Sequence, residues 1–308
     1  MSDLLPSDPN NQMVDKVNAF EKARPRLLGF AYRITGSLVD AEDVVSEVWL
    51  RWAEADQDAV INPQGWLTTV TVRRAIDWAR AGARRRETYL GPWLPEPVVT
   101  ARRTNTDPEA AAELAESLAL GFLIVLDRLD PVARAVFLLA DVWGWSFAEV
   151  AVVVGRSEAA CRQLASRARK RLQAATAAPT PWRVTDEEMV HRLVVAVTAG
   201  NLEMTLSLLA PDVVLVSDGG PSIHAARRPV VTSPRVANFL LNLARRLPAV
   251  GDSVDIVTVN GTSGIIVHAS QAPKVVMAFE FQDERVTRIW TILAPEKLRR
   301  LDNPPNLQ

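Results

Sequence analysis

The sequence is poor in the residues that build disulfides and metal sites. Its 308 residues include one cysteine, Cys161, and three histidines, which are His191, His224 and His268. A single cysteine cannot form an internal disulfide, and histidines so far apart give no zinc-ligand spacing. Cys161 falls on the inward side of a helical pattern, so we interpret it as a small core residue. The composition excludes a disulfide-stapled fold, and we expect no metal and no cofactor.

The sequence also lacks the segments that carry a chain into or through a membrane. Its N-terminus has no basic region followed by an apolar run, and no apolar stretch is long enough to span a bilayer. A glycine-rich phosphate-binding loop is absent as well. We therefore expect a cytoplasmic protein with no membrane contact.

Charge is nearly balanced over the whole chain and strongly unbalanced locally. The formal net charge is −1, with 48% hydrophobic and 23% charged residues, as in folded soluble proteins. Arginines crowd the segment 73–86 and a second segment, 162–171. Two basic clusters in a neutral chain indicate local sites for an acidic partner such as nucleic acid. The length of 308 residues allows two or three domains.

The stretch 126–172 indicates function most directly. Two helical patterns flank Gly155-Arg156-Ser157, where the glycine can end one helix in a left-handed conformation and the serine can cap the next. This pattern predicts a helix-turn-helix motif. The second helix has an inward stripe at three-and-four spacing, formed by Cys161, Leu164, Ala165, Ala168 and Leu172.

The outward face of that second helix is cationic and suits a DNA major groove. Arg and Gln side chains can read base edges, and Lys and Ser can hold phosphates. The alternative is an Arg-rich end of an ordinary bundle helix, because cations there also complement the helix dipole. The outward residues are Arg162, Gln163, Ser166, Arg167, Arg169 and Lys170.

The segment from Val14 to Arg86 is helical in pattern, with a polar loop before Gly65. An acidic patch at the start of the helix 41–52 either complements the helix dipole or docks a basic partner. The next helix carries charges on one face at spacings of four, three and four, which suits a DNA strand. Trp66 and Trp78 either belong to the core or stack on unpaired bases. The patch comprises Asp40, Glu42, Asp43 and Glu47, and the charged face comprises Arg73, Asp77, Arg80 and Arg84.

Residues 88–107 are rich in proline and lose the helical period, so we predict a linker. Its Trp93 and Leu94 either pack on a neighbouring domain or bind a partner. Asp107-Pro108-Glu109 has the features of a helix start.

The character of the sequence changes after residue 177. A helical pattern at 185–199 is followed by short β-branched runs separated by turn residues, with one more helical pattern at 234–247. The runs lie at 213–216, 254–259, 264–269, 274–281 and 285–293. Helices followed by a largely antiparallel sheet predict an α+β domain at the end of a multidomain, otherwise all-α chain.

The chain resembles a known family in nearly its whole length. DAEDVVSEVWLRW at 40–52, PQGWLTTVTVRRAIDWARA at 63–81 and the stretch 126–172 are similar to regions two and four of an extracytoplasmic-function (ECF) sigma factor. Residues 181–298 resemble a SnoaL-like domain of the NTF2-like fold. Together with GPWLPEP at 91–97, DGG at 218–220 and APEKL at 294–298, this combination is similar to the ECF41 group.

The resemblance implies a domain order and partners. It implies sigma region two at 1–87, a linker at 88–107, sigma region four at 108–177 and a SnoaL-like regulatory domain at 178–308. The implied partners are core RNA polymerase, through its β′ coiled coil and β flap, and promoter DNA at the −35 and −10 elements. The C-terminal domain would replace a dedicated anti-sigma factor.

The resemblance also assigns roles to residues. The acidic patch would meet polymerase, the outward face of the helix 157–172 would read the −35 element, and regulatory contacts would join the linker to the C-terminal domain. Many family members have Asn in place of Arg73, a longer glycine motif than Gly219-Gly220, and Asn in place of Ala294. The −10 set is Asn62, Arg73, Arg74, Asp77, Arg80 and Arg84, and the regulatory set is Trp93, Leu94, Pro95, Asp218, Gly219, Gly220, Pro295, Lys297 and Leu298.

Two other classes of function remain open on the sequence. The C-terminal domain is either a small-molecule sensor or an NTF2-like enzyme, for which Asp212, Asp218, His224 and His268 are candidate groups. Both tyrosines, Tyr32 and Tyr89, lie outside that domain, so no tyrosine donor is expected there, and Asp218 is more simply a turn residue. The other alternative is a helix-turn-helix regulator that binds duplex DNA alone.

Overall fold

The structure is a computed structural model that describes residues 9–56, 59–87, 89–100, 120–173, 184–245, 253–269, 272–299 and 301. The chain forms two compact units. The first combines Met1–Arg84, Asp127–Ala174 and Pro305–Gln308, and the second combines Arg85–Leu126 and Ala175–Pro304. The predicted helix start at 107–109 and the domain boundaries after 107 and 177 lie outside the described residues. The described linker residues 89–100 belong to the same unit as the C-terminal domain.

Three long helices open the first unit. They are α1 (Pro9–Thr35), α2 (Leu38–Glu54) and α3 (Pro63–Arg86). The Ser37 hydroxyl accepts a hydrogen bond from the Asp40 amide at 3.1 Å and thereby caps α2. The Asn62 side-chain oxygen accepts a hydrogen bond from the Gly65 amide at 3.0 Å and thereby caps α3. These caps fix the residues at which the two helices begin.

The helix-turn-helix motif predicted at 126–172 is present. The helices are α4 (Leu120–Asp127), α5 (Pro131–Phe137, continued by a π-helical turn over Leu138–Val142), α6 (Phe147–Val154) and α7 (Glu158–Gln173). Gly155 ends α6 with φ 65°, and the Ser157 hydroxyl accepts the Ala160 amide at 3.2 Å to start α7. Both roles were predicted from the sequence. Cys161 is fully buried, as predicted.

The second unit contains a seven-stranded sheet with the order β1-β4-β5-β6-β7-β2-β3. Neighbouring strands are antiparallel except β2 and β7, which are parallel. All five predicted β-branched runs are strands, whereas β1 and β3 were not predicted. The strands are β1 (Val99–Thr100), β2 (Leu209–Asp218), β3 (Val230–Val231), β4 (Ser253–Val259), β5 (Thr262–Ala269), β6 (Ala272–Gln282) and β7 (Arg285–Ile292).

The two faces of this sheet belong to different cores. Side chains alternate between faces along a strand, and Ile265 and Val267 join one apolar cluster while Ile266 joins the other. The first cluster is covered by α8 (Val184–Thr198), α9 (Leu202–Leu208) and α10 (Ser233–Ala244), which gives the predicted α+β arrangement. The second cluster includes residues from the linker, from α4 and from α11 (Pro295–Leu298), namely Leu94, Val99, Leu120 and Leu298.

Candidate nucleic-acid interface and linker clasp

All six predicted −35 residues are exposed on α7. Two of them have partners within the chain. Arg162 forms an ion pair with Glu158 one turn earlier, and the Arg169 Nε lies 2.5 Å from the Asp141 carboxylate. The other four, Gln163, Ser166, Arg167 and Lys170, present their polar groups on the same surface. The helix therefore offers a continuous cationic face with little rearrangement of its backbone.

The predicted −10 face of α3 is connected to the acidic patch of α2 by an ion pair. The Arg74 guanidinium lies 2.5 Å from the Glu47 carboxylate and 3.4 Å from Asp77, which in turn lies 3.6 Å from Arg80. These pairs are partly or largely exposed, so each contributes little to stability and can exchange for a phosphate or a polymerase side chain. Asn62 and Arg84 are exposed, as is Asp43 of the patch, while Asp40 and Glu42 are half-buried.

Arg73 has a role that the sequence did not reveal. Its Nε donates to the Val153 carbonyl at 2.9 Å and its Nη2 to the Val152 carbonyl at 2.8 Å. These carbonyls end α6, where a helix has unpaired acceptors and the negative end of its dipole. In this structure Arg73 is thus occupied by the helix-turn-helix motif.

A second arginine, in the helix-turn-helix module, donates to a carbonyl in the N-terminal helices. Arg134 of α5 is buried and donates to the Ile34 carbonyl, near the end of α1, at 2.6 Å. Its other terminal nitrogen lies 2.7 Å from the Asp127 carboxylate. Each of the two helical modules of the first unit therefore supplies an arginine to carbonyls near the C-terminal end of a helix in the other module.

Trp66, a candidate for stacking on bases, belongs to the core of its module. Its ring centroid lies 5.4 Å from that of Trp52, which is fully buried. Trp78 is half-buried. The structure favours the core interpretation of Trp66 because its ring is already packed against another aromatic ring.

In the second unit, a buried carboxylate at the end of β2 binds the linker to the C-terminal domain. Asp218 is fully buried and accepts hydrogen bonds from four donors. They are the Tyr89 hydroxyl at 2.5 Å, the Leu94 amide at 2.8 Å, the Gly220 amide at 3.0 Å and the Lys297 ammonium at 2.7 Å. Such a set of donors offsets the high cost of burying a carboxylate. We name Tyr89, Trp93, Leu94, Asp218 and Lys297 the linker clasp.

Lys297, from α11, is the cation of the linker clasp. Its ammonium also donates to the Leu94 carbonyl and lies 4.3 Å from the centroid of the Trp93 ring. Burial lowers the pKa of Lys297 below its ordinary value, and the Asp218 carboxylate opposes that shift. Asp218 and Lys297 therefore hold the N–H and the C=O of the same linker residue, Leu94.

Beyond the clasp, the linker continues along the sheet as an edge strand. The Val98 amide donates to the Asn260 side-chain oxygen at 2.9 Å, and the Asn260 amide donates to the Val98 carbonyl at 2.7 Å. Val99 then pairs with Val259 in β4. Asn260 was seen in the sequence only as part of a turn, because nothing local indicates what its side chain binds.

The remaining predicted regulatory residues surround the clasp. Gly219 is buried, and a Cβ there would lie 2.3 Å from the Ile223 carbonyl oxygen, so no larger residue fits. Gly220 has φ +63°. Leu298 is buried in the same apolar cluster as Leu94. The full set places Pro95, Gly219, Gly220 and Leu298 in buried positions and Pro295 on the surface as the first residue of α11.

Tyr89 corrects an expectation from the sequence. We predicted no tyrosine donor in the C-terminal domain, because both tyrosines precede it. The chain returns Tyr89 to the second unit, where its hydroxyl reaches Asp218. Burial, followed by the hydrogen bond to Asp218, raises the pKa of Tyr89 well above its ordinary value. Asp218 is accordingly more than a turn residue.

An apolar cavity of about 60 Å³ lies between α8, α10 and the sheet. Its described wall carries no ionisable side chain, since it is formed by Leu193, Val194, Val197, Thr198, Leu240, Leu243, Ala244, Val254, Ile265, Val267, Met277 and Phe279. The four candidate catalytic groups lie elsewhere. Asp212 and His224 are exposed, His268 lies 3.1 Å from Asp255, and Asp218 is held in the linker clasp.

Comparisons with known proteins identify the two helical modules. The family model described as Sigma-70 region 2 matches residues 19–85, and the model described as Sigma-70, region 4 matches residues 124–172. The ECF RNA polymerase sigma factor SigJ of Mycobacterium tuberculosis is 42% identical over 295 residues, which cover 92% of this chain and 93% of SigJ. The chain belongs to the ECF sigma factors of RNA polymerase. Its function is transcription initiation, with core polymerase and promoter DNA as partners.

Further relatives agree with this assignment. The crystal structure of M. tuberculosis SigJ matches this sigma factor with a TM-score of 0.72 and 40% identity, over 91% of this chain and 97% of that chain. A probable ECF RNA polymerase sigma factor, SigI of M. tuberculosis, is 28% identical over 92% of this chain and 95% of its own length.

The described residues form neither a membrane-spanning helix nor a metal site. No helix among them is long and apolar enough to cross a membrane. They also contain no group of three or more His, Cys, Asp or Glu side chains that is placed to hold a metal ion.

Proposed function

We propose that the C-terminal domain of this sigma factor is its built-in regulator, in place of a separate anti-sigma protein. The observation that carries the proposal is the linker clasp, in which Asp218 and Lys297 bind the main-chain N–H and C=O of Leu94. The segment held in this way connects sigma regions two and four. A linker fixed on a folded domain limits how far the two regions can separate, so the clasp opposes their placement on two promoter elements.

The residues proposed for promoter and polymerase binding follow the exposed charged faces. The acidic patch on α2 is proposed to meet the β′ coiled coil, the charged face of α3 the −10 strand, and the cationic face of α7 the −35 element. The β flap is the proposed second polymerase contact. Support comes from exposure of the six α7 residues and from the exchangeable ion pairs of Arg74 and Asp77.

Arg73 and Arg134 suggest a second restraint, inside the first unit. Arg73 cannot contact DNA while it donates to the Val152 and Val153 carbonyls. We propose that binding to polymerase separates the modules, which frees the Arg73 guanidinium for the −10 strand. The proposed dependence on polymerase predicts that Arg73 does not contribute to DNA binding by the isolated protein.

In vitro transcription with core polymerase tests the proposed regulation. Full-length protein, a chain ending at residue 177 and the Lys297→Met variant are compared on the same promoter template. Truncation and Lys297→Met should both raise transcript yield, because both release the Leu94 main chain from a clasp that opposes placement on the promoter. Lys274→Met serves as the control, since Lys274 is an exposed lysine in the same domain.

The outcomes separate the parts of the proposal. If truncation and Lys297→Met leave transcription equal to that of the full chain, the C-terminal domain is not a regulator. A gel shift without polymerase addresses the alternative regulator, because strong sequence-specific binding by the isolated protein would favour it over the proposed mechanism.

A further inference from the structure

The groove of the linker clasp recognises its occupant mainly through main-chain atoms. The Leu94 amide and carbonyl bind Asp218 and Lys297, and the Val98 amide and carbonyl bind Asn260. Val99 then adds to the edge of β4 by strand pairing. Recognition of this kind resembles peptide binding by strand addition, in which main-chain bonds give affinity and side-chain pockets give specificity.

Several side chains of the segment are buried or half-buried and can supply that specificity, and the clearest are Trp93 and Leu94. Leu94 is 1% exposed and packs with Val259, Ile266 and Trp290 on the sheet. Trp93 places its ring over the Lys297 ammonium. By contrast, Leu90 of the same segment is 58% exposed. The groove therefore reads an aromatic residue followed by leucine, and it ignores the position four residues before that leucine.

We propose that this groove is a peptide receptor that accepts, from another protein, an extended segment with an aromatic residue, leucine and proline in succession. None of the bonds that hold residues 94–99 requires that they be covalently joined to the domain that binds them. An incoming segment of the same chemistry would take the place of residues 93–99 and release the linker. The regulatory consequence rests on the function proposed above, whereas the binding activity does not.

A free peptide must compete with the linker, which is covalently attached to the protein that carries the groove. Because the linker and the groove belong to one chain, the linker has an effective concentration at the groove on the order of millimolar. A free peptide of the same sequence should therefore bind poorly to the intact chain and much better once residue 94 no longer fits. The full chain with Leu94→Asp provides such a groove, because a second carboxylate beside Asp218 is repelled and an apolar site rejects it.

The test uses a fluorescein-labelled peptide of residues 89–100 and the full-length Leu94→Asp protein. Fluorescence anisotropy should show saturable binding, and the wild-type chain should bind at least about tenfold more weakly because its groove is occupied. In the peptide, Leu94→Ala should weaken binding by about thirtyfold or more. Leu90→Ala is the matched control and should change affinity less than about threefold, since its side chain is exposed.

Three results would overturn the proposal. They are no binding at millimolar peptide, equal effects of the Leu94→Ala and Leu90→Ala peptides, and unchanged affinity when Lys297→Met is added to the receptor chain. If Leu94→Asp fails to fold by circular dichroism, Leu94→Ser provides the opened groove. Exchange of linkers between two copies would appear as a Leu94→Asp chain that dimerises with wild type, and in that case the partner is not a foreign protein.

Transcription assays run in parallel distinguish this proposal from the previous one. Peptide binding without any change in transcript yield would retain the receptor and reject the regulator. A change in yield on truncation, with no peptide binding to the opened groove, would retain the regulator and reject the receptor.

Discussion

At the scale of single residues, Arg73 shows how one side chain can serve two surfaces. Its fork of donors fits two consecutive carbonyls at the end of α6, and the same fork fits a phosphate. An Asn in this position would be too short to span both carbonyls. The arginine therefore links α3 to the helix-turn-helix motif in a way that the family resemblance alone does not imply.

Replacement of Arg73 should loosen the first unit. Arg73→Met keeps the apolar stem and removes the donors, which should cost about 1 kcal/mol of unfolding free energy, because the bonds are charged but partly exposed. Urea unfolding and hydrogen exchange of the amides at 155–157 measure the effect. Arg80→Met is the control, since Arg80 pairs only loosely with Asp77 at 3.6 Å. Equal losses in the two variants would refute a specific role for Arg73.

Tyr89 should make the stability of the second unit depend on pH in the alkaline range. Its pKa is raised in the folded state by burial and by the bond to Asp218, whereas the unfolded chain titrates at about 10. The folded protein then binds more protons than the unfolded one, so stability falls as pH rises above about 10. Tyr89→Phe should lower stability at neutral pH and flatten this decline.

Urea unfolding at several pH values between about 8 and about 11 gives the measurement. Tyr32→Phe, in the first unit, is the comparison variant. The interpretation fails if the alkaline decline of the second unit is equally steep with and without the Tyr89 hydroxyl.

At the scale of secondary-structure elements, α7 is the element whose function follows most directly from its pattern. Arg169→Ala should weaken promoter binding by the holoenzyme and reduce the slope of log Kobs against log salt by about one unit, if this side chain holds a phosphate. The Asp141 pair must first open, which costs little at an exposed site. Arg128→Ala, an exposed arginine outside α7, is the control. An unchanged slope would remove Arg169 from the DNA contacts.

The elements also show what could be predicted from sequence. Helices with a strong apolar stripe and capping residues, such as α7 with Ser157, follow from local rules. The same holds for β-branched strands between turns. The strand β1 was missed because Val99 and Thr100 follow a proline-rich stretch and become a strand only through β4. The parallel pairing of β2 with β7 is likewise a long-range choice that alternation cannot reveal.

In the candidate site, too, some residues were predicted and others were not. The predicted regulatory residues Leu94, Asp218 and Lys297 converge, although they are separated by more than 70 positions along the chain. That convergence was anticipated only through family resemblance, since no local pattern connects them. Tyr89, Asn260 and the carbonyl contacts of Arg73 were not found, because their partners are main-chain or buried atoms far away in sequence.

At the scale of the whole molecule, the chain is divided into two units that are interleaved along the sequence. Residues 85–126 leave the first unit for the second, and the chain returns at Asp127. Sigma region four is thus entered through α4, whose Leu120 lies in the apolar cluster of the second unit. Regions two and four share one compact unit, but the chain that joins them is folded into the other.

Unfolding of the full chain should therefore occur in two steps. Lys297→Met should destabilise the second unit by about 3 kcal/mol or more, because it leaves the buried Asp218 carboxylate without its cation. The first unit should keep its stability. Hydrogen exchange resolved by segment measures both, with Lys274→Met as the control. A uniform loss over both units would show that they unfold as one.

The convergence of donors on Asp218 has a final consequence for how the factor responds. Two distant stretches of the chain, the linker and α11, donate hydrogen bonds to the Asp218 carboxylate, so loss of either leaves buried oxygens with fewer donors and weakens the other contact. Forms in which the linker is only partly released should therefore be scarce. A stimulus that opposed the linker clasp would then change the fraction of molecules whose linker is released, and not the extent of release in each molecule.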